Sequence, residues 1–191
     1  MHLIDELLAS LVIPSQENDK VFKPTERWKP PDFGWVKINS DGAISSAQRC
    51  AGAGVVVRDH VGNLLAGRCM RFDAIQEPLV IEQLACREAV RIAVEHGFQQ
   101  VIVETDSQEV LKLWNDEKNS SIGANVIKEM KTDLLNLQGF ILQAVRRSAN
   151  NAAHVCARAA LNLVPDVFSF TVTPEFLIDS IQSELYPLKV E

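Results

Sequence analysis

Three acidic residues occupy positions at which carboxylates suit chemistry better than solubility alone. Asp41 ends a predicted strand, Glu82 lies in the opening turn of a largely apolar helix, and Asp106 ends a second, buried strand. Strand ends at one edge of a sheet can converge, and clustered carboxylates repel one another unless cations lie between them. Hard oxygen ligands select Mg²⁺ or Mn²⁺, which can clamp the attacking and leaving oxygens of a phosphoryl transfer. These residues therefore indicate a divalent-metal site that acts on a phosphodiester.

Each of the three acids also has a purely structural interpretation. Asp41 precedes Gly42 and is typical of a turn, Asp106 is a candidate helix cap, and Glu82 is a favourable charge near a helix N-terminus. Residue types and placement alone leave both interpretations open.

The elements that position these acids follow an α/β pattern. In GWVKINSD, apolar and polar residues alternate as in a strand, and two further strands follow it closely enough to form an antiparallel meander. The chain then alternates between helical and strand patterns, which predicts a mixed sheet with helices on its faces. We predict strands over 34–41, 51–59, 63–72, 101–106 and 140–147, and helices over 78–97, 107–116, 124–137 and 149–163, with Asp106 or Ser107 capping the second helix and Ser148 the last.

The length of 191 residues fits one domain with extensions, because single cores commonly occupy about 100–200 residues. We predict a core domain over 30–165. A short helix and a proline-rich linker occupy 1–29, and a tail with a short amphipathic helix occupies 166–191. The first residues carry Asp5 and Glu6 but no basic n-region, so they do not resemble a signal peptide.

Composition excludes several classes of protein. No apolar run approaches the roughly 18–20 residues of a membrane helix, so we expect no membrane partner. The net charge of −6 argues against a general polycation, and five acidic residues but only Lys189 as a base follow Pro165. The four cysteines lack metal-ligand spacing, and three lie in apolar periodic segments, which favours free thiols in an intracellular, reducing compartment, whether nucleus or cytoplasm.

Five strings in order carry a family resemblance: KINSDGA, AGAGVVVRDHVGNLLAGR, IEQLACREAVRIAVEHG, VIVETDSQEVLKLWN and RRSANNAAHVCARAA. They resemble the ribonuclease H type 1 domains of plant retroelements, which accompany reverse transcriptases, and of their stand-alone relatives. The resemblance covers about residues 28–165. It implies a ribonuclease H-like α/β fold, with a five-stranded mixed sheet made of the meander and two further strands. It also implies an endonuclease that cuts the RNA strand of RNA/DNA hybrids by two-metal phosphodiester hydrolysis.

The resemblance assigns roles to the three acids. The family's first aspartate matches Asp41, which is expected to bridge both metals. Its helix glutamate matches Glu82 and its strand-end aspartate matches Asp106, and both are expected to complete the metal site nearer the leaving group. The implied cofactor is Mg²⁺, with Mn²⁺ as a substitute. Glu88 points to a different side of its helix than Glu82 and is not a candidate.

The fourth acid of the family is replaced here. The family pattern is asparagine, two residues, then aspartate, whereas the run from Asn151 gives two alanines and His154. We therefore expect four catalytic metal ligands: Asp41, Glu82, Asp106 and His154. Because Mg²⁺ prefers oxygen, an imidazole should weaken the site of the water-activating metal or shift its preference towards Mn²⁺. The family's mobile histidine before the last helix is not evident either.

The expected partner is an RNA/DNA hybrid, and no protein partner is indicated. Gly42 and Ala43 leave the backbone open beside Asp41, and several basic or amide side chains suit phosphate or 2′-hydroxyl contacts. The expected nucleic-acid-binding residues are Gly42, Ala43, Arg146, Arg147, Asn150 and Arg158. The alternative is a domesticated module that keeps the fold, binds nucleic acid or a protein partner and cuts poorly. His154 and the net acidity favour that alternative.

Overall fold

The computed structural model describes residues 26–116 and 123–185. Within these ranges one mixed sheet has the strand order β5-β4-β1-β2-β3-β6. Its strands are β1 (Val36–Ser45), β2 (Cys50–Arg58), β3 (Leu64–Asp73), β4 (Gln100–Thr105), β5 (Gly139–Ala144) and β6 (Val167–Phe170). The helices are α1 (Pro78–Glu95), α2 (Gln108–Asn115), α3 (Ala124–Asp133), α4 (Asn151–Ala160) and α5 (Glu175–Leu185), with short 3₁₀ turns at Leu134–Asn136 and Arg147–Ala149.

The sheet combines the two strand arrangements that the sequence predicts. Strands β1, β2 and β3 form an antiparallel meander, whereas β4 pairs in parallel with both β1 and β5. The predicted α/β fold with a mixed sheet is therefore confirmed.

The predicted count of five strands is too low by one. Strand β6 pairs antiparallel with the outer edge of β3. This strand has only the four residues VFSF, too few for an alternation of apolar and polar residues to reveal a strand. The segment after Pro165, expected to be a tail, thus adds a strand to the sheet and a helix, α5, that packs against α4.

Strand β2 is buried along its whole length because helices cover both faces of the sheet. Val55 and Val57 pack with α1 residues such as Ala89, whereas Val56 packs with Cys156 of α4. Alternate side chains of a strand point to opposite faces, so α1 and α4 lie on opposite sides of the sheet. The apolar band predicted for α1 is buried throughout: Ile81, Leu84, Ala85, Ala89, Ile92 and Ala93.

Helix α4 approaches the sheet closely because β2 carries glycine at the contact. A Cβ atom on Gly54 would overlap backbone atoms of Ala153 and Ala157, and one on Gly52 would overlap the carbonyl of Ala157. The alanine-rich face of α4 permits the same approach from the other side. This packing sets how far the helix that carries His154 stands from β1.

The N-terminal extension is described only in part. The helix expected within residues 1–29 falls on residues 1–25, which lie outside the described residues. The end of the expected linker is described, and there Trp28 is buried.

No helix in the described ranges is long and apolar enough to cross a membrane. All four cysteines are free and buried, as expected of thiols that pack with apolar side chains.

Candidate active site

Asp41 lies inside β1 rather than at its end, which corrects the sequence-based prediction. The strand continues to Ser45 because β1 and β2 form a long antiparallel pair in which Asp41 lies opposite Gly54. On its other side, however, the pairing of β1 with β4 stops at Ser40 and Thr105. Asp41 is therefore the first β1 residue beyond the end of β4.

Asp106 and Glu82 reach the same place from neighbouring elements. Asp106 follows the last residue of β4, and Ser107 rather than Asp106 caps α2, accepting a hydrogen bond from the backbone N–H of Val110. This leaves the Asp106 carboxylate available. Glu82 is the fifth residue of α1, slightly deeper in the helix than predicted. One oxygen from each of Asp41, Glu82 and Asp106 can be chosen so that all three atoms lie within 4.8 Å of one another.

Burial and the neighbouring negative charges raise the pKa values of Asp41 and Glu82. Desolvation, followed by the charges of Glu82 and Asp106, raises the pKa of Asp41 from 3.8 to about 9. Desolvation and then Asp106 raise the pKa of Glu82 from 4.5 to about 8, although the backbone N–H of Gly42 bonds to this carboxylate and lowers the pKa. A bound cation would reverse these shifts, since an adjacent positive charge favours the ionised form.

The residues present fit a hard divalent cation. The donor set consists of carboxylate oxygens, which Mg²⁺ and Mn²⁺ prefer. In addition, Oε2 of Glu82 is buried and has no hydrogen-bond partner among the described residues. A buried acceptor without a partner is costly unless something else satisfies it, so this atom suits a metal ligand.

His154 lies beside the cluster but outside the group of three. Its Nδ1 atom is 2.9 Å from Oδ2 of Asp41. Burial, followed by the charges of Arg147 and Arg158, lowers the pKa of His154. A neutral imidazole can bind a metal, and its contact with Asp41 places it within reach of the same site.

Arg147 spans the cluster from its exposed side. Its Nη2 atom lies 2.9 Å from Nδ1 of His154, and its Nη1 atom lies 3.7 Å from Oδ2 of Asp106. The side chain is 64% exposed, so it can move without disturbing the core. The positive charge of the guanidinium lowers the pKa values of Asp41 and Glu82 and so favours their ionised forms.

Four of the six expected nucleic-acid-binding residues line one open groove of about 380 Å³ beside the acids. They are Gly42, Ala43, Arg147 and Arg158, joined by Ile44, Ser45, His154 and Leu161. Arg146 is not among them. Its guanidinium lies 3.6 Å from the carboxylate of Glu26 in the N-terminal segment.

The prediction for Asn150 is wrong. This residue is fully buried. Its Nδ2 atom donates to the carbonyl of Ser40 at 2.9 Å, and its Oδ1 atom accepts from Asn39 at 3.0 Å. Both ends of the amide are therefore engaged inside the protein.

The prediction that Ser148 caps the last helix of the domain is also wrong. Helix α4 begins at Asn151, and the Ser148 hydroxyl donates to the carbonyl of Glu26.

Sequence reasoning missed a buried polar network beneath the cluster. It contains Asn39, Arg58, Glu104 and Glu184, all at most 5% exposed. Arg58, the one charged residue of the otherwise apolar strand β2, is the sequence signal that could have found it. Glu88 is correctly excluded from the cluster, since its carboxylate pairs with three arginines: Arg68, Arg87 and Arg91.

The chain is similar to known proteins both in sequence and in fold. The model of the family described as "Reverse transcriptase-like" matches residues 39–160. A curated relative from Arabidopsis thaliana, named "Putative ribonuclease H protein At1g65750", is 25% identical over 158 residues. Those residues are 82% of this chain and 25% of the relative, so the chain spans about a quarter of that protein's length.

Solved structures show the same fold. RNase H1 of Halobacterium salinarum has a TM-score of 0.62 at 22% identity, covering 67% of this chain and 98% of that one. The N-terminal RNase H domain of Mycobacterium tuberculosis rv2228c has a TM-score of 0.61 at 21% identity, and the match covers 67% of this chain and 94% of that domain's chain. LC11-RNase H1 in complex with an RNA/DNA hybrid has a TM-score of 0.60 at 18% identity, and the match covers 66% of this chain and 96% of that one. The chain therefore belongs to the reverse transcriptase-like family and has the ribonuclease H-like fold.

Proposed function

We propose that this chain is a metal-dependent endonuclease that hydrolyses the RNA strand of RNA/DNA hybrids. One observation carries the proposal: the carboxylates of Asp41, Glu82 and Asp106 converge within 4.8 Å beside an open groove. The curated relative's name and the hybrid-bound structural neighbour support this substrate class.

Divalent cations, Mg²⁺ or Mn²⁺, would activate the attacking water and stabilise charge on the leaving oxygen. Asp41, Glu82 and Asp106 would hold them, and His154 would add a nitrogen ligand beside Asp41. The unpartnered Oε2 atom of Glu82 supports this assignment. The protein's own task is to gather the negative charge and keep the ligands in place.

The groove suits a phosphate backbone. Arg147 and Arg158 supply positive charge along it. Gly42 and Ala43 have little or no side chain, so they leave the backbone of β1 open beside the acids. Phosphate contacts of this kind set the position of a strand without reading its sequence. We therefore expect cutting without strong base specificity.

The alternative is a binding module that retains the fold but cuts poorly. Its support is the substitution itself, because a histidine contacts Asp41 where the resemblance implies an aspartate. A weakened cation site would leave the groove able to bind a hybrid while hydrolysis is slow.

Incubation with labelled substrates separates these two functions. The purified chain is mixed with an RNA/DNA hybrid, duplex RNA or duplex DNA, in Mg²⁺ or in Mn²⁺, with Asp41→Asn as the matched control. We expect cleavage of the hybrid alone, and none by the control. Binding of the hybrid without cleavage in either cation would favour the binding module, and equal cleavage by the control would indicate a contaminating nuclease.

A further inference from the structure

Glu184 lies in α5, outside the residues that the family model matches, yet both of its carboxylate oxygens act close to the candidate active site. Oε2 accepts a hydrogen bond of 2.5 Å from Nη1 of Arg58. Oε1 accepts a hydrogen bond of 2.9 Å from the backbone N–H of Ala152. The Glu184 side chain is 2% exposed and that of Arg58 is fully buried, so solvent does not screen this pair.

The bond to Ala152 provides α4 with a cap that its own sequence lacks. The first backbone N–H groups of a helix have no partner within the helix, and a side chain of the preceding residue usually satisfies one of them. Here the residue before the helix, Asn150, makes no such bond. Glu184 takes over this task, and its negative charge also suits the positive end of the helix dipole.

The bond to Arg58 ties the same carboxylate to the strand that carries Asp41. Nη2 of Arg58 donates to Oδ1 of Asn39 at 2.8 Å, and Nδ2 of Asn39 donates to Oδ1 of Asn150 at 3.0 Å. Asn150 in turn donates to the carbonyl of Ser40 at 2.9 Å. A continuous chain of hydrogen bonds therefore runs from Glu184 to the residue before Asp41.

The same arginine is also held from the N-terminal flank. Trp28 is buried, and its ring lies 3.8 Å from Cζ of Arg58, a cation–π contact. Trp28 precedes the matched residues 39–160, as Glu184 follows them. Two flanking segments thus meet on one buried charge beneath the site.

Burying this charge is expensive as a means of stabilisation. Apolar residues of similar volume in place of a buried ion pair often leave stability unchanged or raise it. The geometric specificity of the network offers a better reason for its presence. The network fixes the first turn of α4 against β1, and His154 lies two residues beyond the Ala152 that Glu184 caps.

We propose that Glu184 is a positioning residue that holds α4 in register with β1, so that His154 contacts Asp41. This proposal rests on the proposed function only where cleavage is measured. It extends the functional unit beyond the residues that the family model matches, into α5.

The first test reads His154 directly and needs no cleavage. Imidazole ¹⁵N and ¹H signals are recorded at one fixed pH for the unmodified protein, E184Q, E184A and E88Q, with H154N used to assign the His154 signal. Glu88→Gln is a matched control, because it also removes a buried carboxylate paired with arginine, in a helix that contributes no residue to this network. We expect the His154 signal to shift in E184A, and to a smaller extent in E184Q, and to stay unchanged in E88Q.

Hydrogen exchange of the Ala152 amide is measured in the same variants, because it reports the hydrogen bond from this amide to Glu184. Loss of its acceptor in E184A should accelerate exchange at Ala152 by about tenfold or more, the factor that corresponds to about 1.4 kcal/mol. An unchanged His154 signal and unchanged Ala152 exchange in a folded E184A would overturn the proposal. If E184A does not fold, E184Q decides by the same criteria. Unfolding of both variants would also overturn it, because Glu184 would then serve stability alone.

The second test measures hybrid cleavage by the variants. Displacement of a catalytic group by about 1 Å can cost about 100-fold in rate. We therefore expect E184A to lower kcat by about 10- to 100-fold, with the KM for the hybrid unchanged within about twofold and E88Q close to the unmodified protein. If the unmodified protein does not cleave, the proposed function fails, while the His154 signal still decides the role of Glu184.

Discussion

Nδ1 of His154 lies 2.9 Å from Oδ2 of Asp41. Burial raises the pKa of this carboxyl to about 9 and lowers the pKa of the imidazole. At neutral pH without a cation, the contact therefore joins a protonated carboxyl to a neutral ring and is a hydrogen bond rather than an ion pair. Binding of a cation at Asp41 requires that proton to leave, so the His154 contact and the cation are linked through one carboxylate.

Replacement of His154 by aspartate should increase Mg²⁺-dependent cleavage of the hybrid. A carboxylate adds a hard, charged ligand that Mg²⁺ prefers to imidazole. We expect a rate increase of about tenfold or more in Mg²⁺, since even the hydrogen-bond partner of a metal ligand is typically worth about 10- to 100-fold in affinity or activity. Mn²⁺ should help the unmodified protein more than the variant. Initial rates at saturating cation, and across a cation titration, separate weak binding from slow chemistry.

The control for this prediction is His154→Asn, which removes the imidazole without adding charge. It should not raise the rate in Mg²⁺. If H154D and the unmodified protein had the same rate and the same cation dependence, His154 would not be a ligand.

The stability of the cation-free protein should fall as the pH rises from about 4 to about 9. The pKa of Asp41 is 3.8 in its unperturbed state and about 9 in the folded protein, so the folded state holds an extra proton within this interval. Stability that depends on a raised pKa is complete below the unfolded value and is lost as the pH passes through the folded value. Urea unfolding at several pH values in EDTA measures this loss.

Asp41→Asn isolates the contribution of this carboxyl. Its free energy of unfolding in EDTA should exceed that of the unmodified protein by an amount that grows with pH, by at most about 1.4 kcal/mol per pH unit. The difference should stop growing above about pH 9. A constant difference across the range would mean that Asp41 is ionised in the folded protein.

Mg²⁺ and Mn²⁺ should raise the melting temperature of the unmodified protein at neutral pH. A ligand at 100 times its Kd stabilises the folded state by about 2.7 kcal/mol. The increase should be lost in Asp106→Asn and Glu82→Gln, each of which removes one carboxyl group that would ionise to bind the cation. Ca²⁺ and spermidine serve as controls for size and for nonspecific charge. An equal increase in the variants would place the cation elsewhere.

The carboxylate cluster could be predicted because Glu82 and Asp106 each carry a local signal, a helix that begins and a strand that ends, and because the family resemblance joins them to Asp41. The local signal for Asp41 was wrong, since its strand continues to Ser45. The fold could be predicted because alternation and helical spacing are local patterns.

Strand β6 was missed because its four residues are too few for an alternation to be recognised. The buried network was missed because its partners are far apart in the chain, Arg58 and Glu184 being separated by 126 positions.

Asn150 shows a different limit of sequence reasoning. An asparagine beside a predicted pocket suits both a substrate contact and a buried structural hydrogen bond, and its local sequence is the same in either case. Only the tertiary structure reveals that Asn39 and Ser40 engage both ends of its amide.

Neutralising the groove arginines should weaken hybrid binding and reduce its salt dependence. Each phosphate contact that is lost lowers the slope of log K against log salt by about one. We expect Arg147→Gln and Arg158→Gln each to have this effect, measured with uncleavable hybrid in Ca²⁺ at several salt concentrations. Arg91→Gln is the control, because Arg91 pairs with Glu88 and Glu129 outside the groove lining. An unchanged slope would exclude the arginine from phosphate contact.

Alanine at Gly54 should displace α4 and with it His154. Gly54 lies opposite Asp41 in the sheet, and an added Cβ would overlap the backbone at Ala153 and Ala157. Overpacking of this kind typically costs about 1–3 kcal/mol. Because the obstruction is backbone rather than a flexible side chain, the helix must move as a body. We therefore expect lower stability by urea unfolding, together with cleavage reduced by more than tenfold in the fraction that stays folded.

The control for this variant is Gly97→Ala, at the end of α1. Gly97 has a φ of +69° and no neighbouring atom within 4 Å of an added Cβ, so alanine there strains the backbone without moving an element. Its cost should be about 1–2 kcal/mol, comparable to that of Gly54→Ala, while cleavage by the folded protein stays unchanged. Equal losses of activity in both variants would show that activity follows global stability. A loss confined to G54A would show that activity depends on the position of α4 against β2.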